Sequence, residues 1–371
     1  METRPATSRA DRVEGTALVL SGGLFDINNA KTAHGLVRGS ERFKVVGVVD
    51  SEANAGRDAG ERLDGVRREI PMFATLQAAL RALPERPRYC VLGVATKGGK
   101  LPPHLRAQLL EAIQNGLSIV NGLHEHASDV PELAQAANAH GVDIIDIRRP
   151  PADLRFWSGD VFSVRAAVLA VLGTDCALGK RTTSRFLVEA CRHRGITAEM
   201  LYTGQTGWMQ GARWGTILDA IPNDFVSGEL ERAVVACDRE ANPSLIVIEG
   251  QSSLRNPSGP CGAELLLSAG ARSVVLQHAP ARRYVLGFEE LGLEIPPIES
   301  EIELIARYGA KTIAIVLNGE GLEPSALRSE RDRLARTTDL PVACPLLDGI
   351  DPILPAVLGV MSDRGGTRAP V

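Results

Sequence analysis

From Thr16 onward the chain alternates between short, unbroken apolar runs and helical stretches, and this limits its fold more than any other feature. "TALVLSG" reads as a strand, "NNAKTAHGLVRGS" as a helix and "FKVVGVVDSE" as a strand. The helix "PMFATLQAALRALPE", the strand "RYCVLGVAT" and the proline-opened helix "PPHLRAQLLEAIQNG" follow. "LSIVNGL", a helix through "PELAQAANAHG" and the strand "VDIIDIRRPP" close a first set at Pro150-Pro151. The pattern then restarts with "RAAVLAVLG" and runs through the strands "TAEMLYTG", "PSLIVIEGQ", "SVVLQH", "TIAIVLNGE" and "PVACPLL". Its helices are "RTTSRFLVEACRHRG", one around "SGELERAVVACDRE" and "ESEIELIARYG". These strands are apolar on both sides, so both faces of their sheets must be covered, which parallel strands crossed over by helices achieve. The expected fold class is α/β: a Rossmann-like parallel-sheet domain at 15–150, then a second α/β domain at 151–361. The polar ends, 1–14 and 362–371, are expected to be disordered.

A chain of 371 residues accommodates two such domains. With 44% hydrophobic but only 4% aromatic residues, the core must be mainly aliphatic. A net charge of -4 gives no reason to expect nucleic acid or an anionic membrane as partner. Six cysteines form no C-x-x-C pair and show no metal-ligand spacing, so reduced, mostly buried thiols and no metal site are expected. "METRPATSRADRVEG" carries no apolar signal-peptide core, and no apolar run approaches a membrane span. A cytoplasmic location is the expectation.

Chemistry concentrates in "VLGTDCALGKRTT", residues 171 to 183. An apolar strand ends in Gly173, a short loop follows, and Gly179-Lys180 opens a helix. Such a loop turns backbone N–H groups and the positive end of a helix toward an anion, and the lysine adds a point charge. A plain strand-to-helix turn containing Gly-Lys is the alternative. The usual pattern G-x-x-x-x-G-K-[ST] is broken twice: Gly173 sits one residue early, and Arg181 stands where a hydroxyl should follow the lysine. In phosphoryl-transfer loops that hydroxyl holds Mg²⁺. Arg181 cannot, although Thr182 or Thr183 could if the helix register shifted. Arginine offers another fork-shaped anion contact instead. The loop therefore suits a phosphate that is gripped rather than transferred. The nucleotide-binding residues are expected to be Gly173, Thr174, Asp175, Cys176, Ala177, Leu178, Gly179, Lys180, Arg181, Thr182 and Thr183. Glu249 and Gln251, at the end of the strand "LIVIEGQ", join them.

The spacing G-T-D-x-x-x-G-K resembles the phosphate loop of dethiobiotin synthetase, which implies a P-loop fold for the second domain. "GTDCALGKRTT", "YTGQTGW", "IEGQSSL" and "AKTAHGLVR" together resemble a two-domain family, formerly of unknown function, that includes the D-glutamate N-acetyltransferases. The resemblance runs from about Thr16 to Asp348. It implies transfer of an acetyl group from acetyl-CoA to the amine of a small acidic amino acid. The 3′-phospho-ADP end of CoA is then an anchor whose binding energy positions the acyl group.

Other residues are weighed against blander roles. "YTGQTGWMQGARWG" reads as a flexible ligand-covering loop, with Trp208 or Trp214 able to stack on an adenine or cover an acyl chain; a packed surface loop is the alternative. Asp224 reads as a polar contact placed before a helix that starts at Ser227. His278, Arg282, Arg283 and Asn318 follow strands, where structural roles compete with binding. In the first domain the Gly22-Gly23 turn lacks G-x-G-x-x-G, which argues against NAD. Gly22 and Gly23, with Asn28, Lys31, Thr32 and Arg38, form a candidate substrate site whose side chains could clamp carboxylates, with Gln205 and Thr206 added from the second domain; a solvated helix face is the alternative. Asp50, at a strand end, is the candidate general base that frees the acceptor amine. His124, Glu125 and His126 suggest metal only weakly, lacking a third placed ligand.

The leading expectation is thus an amino-acid N-acetyltransferase, expected to be a homo-oligomer. An ATP-Mg²⁺-dependent amide ligase or kinase and a nucleotide-sensing protein without catalysis stay open beside it.

Overall fold

The computed structural model describes residues 13–362. The expected tails lie outside the described residues except at their inner ends, where Val13 is buried and its carbonyl accepts from the Arg42 guanidinium at 3.3 Å. The described residues divide into two compact units: 13–152 with 205–213, and 153–204 with 214–362.

The first unit is built on a six-stranded parallel sheet: β1 Gly15–Leu20, β2 Phe43–Val49, β3 Met72–Phe73, β4 Tyr89–Leu92, β5 Ser118–Asn121 and β6 Ile144–Asp146. The spatial order is β3-β2-β1-β4-β5-β6, with Leu20 between Val49 and Leu92. This is the Rossmann order, which reverses direction between β1 and β4 and opens a crevice at their carboxyl ends. Leu18, Leu20, Leu92, Leu109 and Ile119 fill one face of the sheet.

The second unit carries seven parallel strands: β7 Ala167–Gly173, β8 Ala198–Tyr202, β9 Trp214–Gly215, β10 Leu245–Glu249, β11 Ser273–His278, β12 Lys311–Leu317 and β13 Val342–Ala343. Their order is β13-β12-β11-β7-β10-β8-β9. Every residue of β7 is buried, as its position at the sheet centre with helices on both faces demands. The two units are the expected Rossmann-like and P-loop α/β domains.

Three local expectations differ from the structure. The stretch beginning "PMFAT" opens with β3 instead of helix, and the helix Leu76–Ala82 starts behind Thr75, whose hydroxyl accepts from the Ala78 N–H. The helix expected from Ser227 begins earlier, as Asn223–Ala241, so Asp224 lies in its first turn. Ser227, inside the helix, instead accepts from the Ser268 hydroxyl. Residues 205–213 belong to the first unit although their sequence neighbours on both sides belong to the second. Among the described residues, no helix is long and apolar enough to cross a membrane.

Candidate phosphate-binding site

β7 delivers its loop at the carboxyl edge of the second sheet, and the helix Lys180–His193 begins immediately after Gly179, which adopts a left-handed φ of 101°. Lys180 folds back across Gly173 and donates Nζ–H to the carbonyls of Asp175 and Ser252, each at 2.7 Å. An ammonium has three N–H donors, so one remains for an anion lying in the loop. Burial pulls the Lys180 ammonium down to about 8, although the nearby Cys176, Cys261, Asp175 and Glu249 side chains favour its charge.

The neighbouring strand β10 ends at Glu249, opposite Val171 of β7. Here the backbone is tightly confined: a Cβ on Gly250 would lie 2.1 Å from the Val171 carbonyl oxygen. Only glycine lets β10 turn past β7 and bring the Ser252 carbonyl onto Lys180. Gln251 is anchored to the end of β8, donating Nε2–H to the Thr203 carbonyl, while Thr203 donates its hydroxyl to the Glu249 carbonyl at 2.7 Å.

Side chains beyond the motif brace the loop. Fully buried Asp175 accepts through Oδ2 from the Arg282 guanidinium at 3.0 Å and from the Leu286 N–H at 2.9 Å. Its Oδ1 has no hydrogen-bond partner among the described residues. Arg282 also donates to the Cys176 carbonyl at 2.7 Å and pairs with Glu320. Asn318 Nδ2 donates to the Leu178 carbonyl at 2.9 Å. Thr174 Oγ1 lies 3.0 Å from His278 Nδ1. Burial lowers the imidazole of His278 to about 4, so it is neutral at neutral pH. Arg282, His278 and Asn318 thus support the loop, the structural of the roles weighed for them. Ala177 stands exposed at the loop tip with φ 53°.

The hydroxyls after the lysine differ. Thr183 is buried and donates to Gln277 Oε1 at 2.6 Å, so it faces the sheet and not the loop mouth. Thr182 and Arg181 are half-buried in the first turn. The register shift that would have turned Thr183 toward a metal does not occur, because the helix starts at Lys180 itself.

In the first unit, the crevice at the β1/β4 switch point is already stitched. The Ala33 N–H, in the first turn of the helix Lys31–Arg38, donates to the Gly93 carbonyl at 2.8 Å. The Ala95 N–H donates to the Asn29 carbonyl, and Asn29 Nδ2 donates back to the Ala95 carbonyl. Asp50, expected as general base, is hydrogen-bonded through both carboxylate oxygens. Its Oδ1 accepts from Ser21 Oγ at 2.7 Å and the Phe25 N–H at 3.1 Å. Its Oδ2 accepts from Asn54 Nδ2 at 2.8 Å and Ser51 Oγ at 3.1 Å. Burial works to raise its pKa, but these four bonds, led by Asn54, outweigh it and hold the carboxyl below its usual range. Four donors on two oxygens match the acceptor capacity of a carboxylate, and they favour its charged form.

The expected carboxylate clamp is likewise largely engaged. Thr32 Oγ1 shares a hydrogen bond of 2.8 Å with Thr206 Oγ1, Gln205 Oε1 accepts from Arg148 at 2.8 Å, and Arg38 pairs with Asp64 at 3.4 Å. Gly23, Asn28 and Lys31 are exposed and Gly22 is half-buried. Lys97 and Lys100 are exposed on the loop after β4. His126 lies 3.3 Å from Asp129, and no group of three His, Cys, Asp or Glu among the described residues could hold a metal ion.

The glycine-rich stretch 202–215 is not a flexible cover. Gln205–Met209 is a helix whose five residues are all buried. Trp208 lies under the Arg42 guanidinium, 4.1 Å from the ring centroid, and meets Phe43 edge to face. Gln210 Nε2 donates to the carbonyls of Gly35 and Gly39, closing the end of the helix Lys31–Arg38. Trp214 is buried as the first residue of β9, in the core of the second unit.

Comparison with known proteins agrees with this architecture. The chain is 33% identical to a D-glutamate N-acetyltransferase of Pseudoalteromonas sp. over 71% of its own length and 79% of that protein. It is 28% identical to a D-glutamate N-acetyltransferase of Tritonibacter scottomollicae over 73% of its length and 81% of that protein. The crystal structure of a DUF1611 family protein from Anabaena variabilis superposes with a TM-score of 0.85 at 30% identity, covering 93% of this chain and 100% of that one. Residues 52–150 match the Rossmann-like N-terminal domain of unknown function of that family and residues 155–354 match its P-loop domain, so the chain belongs to the DUF1611 family.

Proposed function

We propose that the protein is an N-acetyltransferase that moves the acetyl group of acetyl-CoA to the amine of an acidic amino acid, D-glutamate, with the β7 loop gripping the CoA phosphates. One observation carries this reading. The residue after the loop lysine is Arg181, and Thr183 has committed its hydroxyl to Gln277, so the loop favours holding a phosphate over bridging it with Mg²⁺ for transfer. The names of the two relatives supply the acyl group and the acceptor.

The reaction balances without ATP. The acceptor amine's lone pair forms the amide C–N bond and the thioester C–S bond breaks. Sulfur leaves as a thiolate that takes one proton of the original ammonium, and the second proton is released. Lys180, with one donor left over, neutralises a CoA phosphate, and Arg181 adds a second cationic contact. The acceptor's carboxylates are matched by the cationic groups exposed on the first unit, Lys31, Lys97 and Lys100.

A second reading, an ATP-Mg²⁺-dependent amide ligase or kinase, is favoured by the pair of buried carboxylates Asp175 and Glu249 beside Lys180. Incubating the purified protein with D-glutamate and acetyl-CoA, and separately with D-glutamate and ATP-Mg²⁺, separates the two. Mass spectrometry should find N-acetylglutamate with stoichiometric free CoA thiol and no need for ATP. ADP or AMP release that depends on the amino acid, without acetyl transfer, would establish the second reading instead.

A further inference from the structure

Asn29 and Ala95 stitch the loops after β1 and β4 together, but other residues of these loops carry polar groups that the fold has not consumed. The turn after β1 holds Gly22 and Gly23 in left-handed conformations, with φ 59° and 79°. It lies against the first turn of the helix Pro103–Gln114: a Cβ on Gly22 would sit 2.9 Å from Leu105 Cδ2 and 3.7 Å from His104 Nε2. Glycine is required at position 22 twice over, by φ and by space. The Gly22 and Gly23 N–H groups have no acceptor among the described residues.

The loop after β4 is fixed as firmly. Thr96 donates its hydroxyl to the Lys100 carbonyl, and its own carbonyl accepts from the Gly99 N–H at 2.9 Å. The Gly99 carbonyl accepts from the Glu125 N–H at 2.9 Å, and the Leu101 N–H donates to the Glu125 carboxylate at 3.1 Å. The ring of His124 packs on Gly99, where a Cβ would lie 2.5 Å from Cδ2. Lys97 and Lys100 are thereby presented at the surface, and neither ammonium has an ion-pair partner among the described residues.

Acetyl transfer to an amino acid needs a group that takes a proton from the acceptor ammonium, and histidine is the side chain best suited to take and return one near neutral pH. Other basic groups of the first unit are engaged. Asp50 has its four donors, and Glu125 also pairs with Arg106 at 3.4 Å. His34 Nε2 lies 2.6 Å from the Phe25 carbonyl oxygen, and His126 Nδ1 lies 3.3 Å from Asp129. His104 is exposed and has neither a hydrogen-bond partner nor an ion pair among the described residues. We infer that His104, set between the Gly22 turn and the lysines of the β4 loop, is the general base of the reaction. The inference rests on the acetyl-transfer reading. His104 Nε2 takes one proton from the ammonium, and the freed lone pair forms the C–N bond as the thioester C–S bond breaks. The imidazolium returns that proton to the departing thiolate, and the second amine proton passes to solvent. Lys97 and Lys100 match the acceptor's carboxylates, and the Gly22 and Gly23 N–H groups are donors available to the tetrahedral oxygen.

Initial rates with D-glutamate and acetyl-CoA, read as released CoA thiol, test it. His104→Ala and His104→Gln should each lower kcat about 100-fold or more, with KM for D-glutamate and calorimetric CoA affinity within about twofold of wild type. Added imidazole should restore His104→Ala saturably, by about tenfold or more, and leave the wild type unchanged; a merely structural histidine gives no such rescue. Melting curves by circular dichroism show whether each variant folds. If one does not, the other decides, and loss of fold in both makes His104 structural and overturns the inference. Wild-type kcat in a folded variant, or a loss that imidazole does not restore, also overturns it while leaving the acetyl-transfer reading in place. A wild type that makes no N-acetylglutamate removes that reading and the inference with it.

Discussion

The two sheets end in the same kind of place, a carboxyl edge where loops and helix starts converge, but they use their polar groups there in opposite ways. At the β1/β4 crevice the donors and acceptors satisfy one another: the Ala33 N–H is taken by Gly93, Asn29 and Ala95 bond mutually, and Asp50 collects four donors. At the end of β7, Lys180 keeps a donor in reserve and Asp175 keeps an oxygen without a hydrogen bond among the described residues. A shared topology therefore does not make two equal ligand sites. What separates them is whether the edge's polar groups are already consumed by the fold.

Removing the reserved charge should have the largest effect. Lys180→Met is expected to weaken CoA binding, read by calorimetry, about 100-fold or more, because it deletes a charge-assisted contact in a buried loop. The wild type should show the same dependence through pH. The ammonium is the binding form and its pKa is about 8, so affinity should hold below pH 8 and fall by up to about tenfold per pH unit above it. Lys180→Met should lack that slope; a wild-type profile flat to pH 10 would detach Lys180 from the anion.

Next comes the geometry that carries Ser252 onto Lys180. Gly250→Ala places a Cβ 2.1 Å from a backbone oxygen that cannot yield cheaply. A loss of about 2–3 kcal/mol in denaturant unfolding is expected, with CoA affinity falling in the same variant.

Asp50→Asn probes the other side of the comparison. An amide nitrogen would face donors, costing about 1–3 kcal/mol of stability. Turnover per folded molecule should stay within about twofold of wild type, whereas loss of a general base costs about 100-fold or more. The sign of the pH effect is defined as well. A carboxyl held below its ordinary 3.8 stabilises the fold above that pH, and this is lost as pH falls through the lower folded value. The stability gap between wild type and variant should accordingly shrink in acid.

The smallest effect is expected from Thr182→Val, within about twofold in acetyl transfer. A hydroxyl coordinating a catalytic metal would instead be worth several kcal/mol.

Strands such as β7 and β10 were readable because an unbroken Val, Ile and Leu run has few places to go except a sheet centre. The loop before Lys180 was readable because it is local: strand, turn and helix lie between residues 167 and 193. The surroundings of Asp50 were not readable, because its donors Ser21 and Asn54 are distant or unmarked in sequence, and a carboxylate at a strand end looks the same whether it is saturated or idle. The stretch 205–213 was misread for a related reason. Its glycines suggested mobility, while the carbonyls of Gly35 and Gly39 and the Arg42 guanidinium that fix it lie more than 150 residues earlier. The helix at Asn223 hid its start because Pro222, with no capping side chain, opens it while Ser227 imitates a cap.

That same stretch has a consequence for how the chain is made. A protein emerging from the ribosome can usually finish its first domain before the second appears. Here residues 13–152 carry all six strands of the first sheet but wait for Trp208 and Gln210, which are synthesised only after β7, the phosphate loop and β8. Until then the end of the helix Lys31–Arg38 lacks the amide that caps it, and Arg42 lacks the indole it covers. The first unit is thus completed late in synthesis, and a gene fragment cut at the proline pair would encode a domain missing one of its own helices.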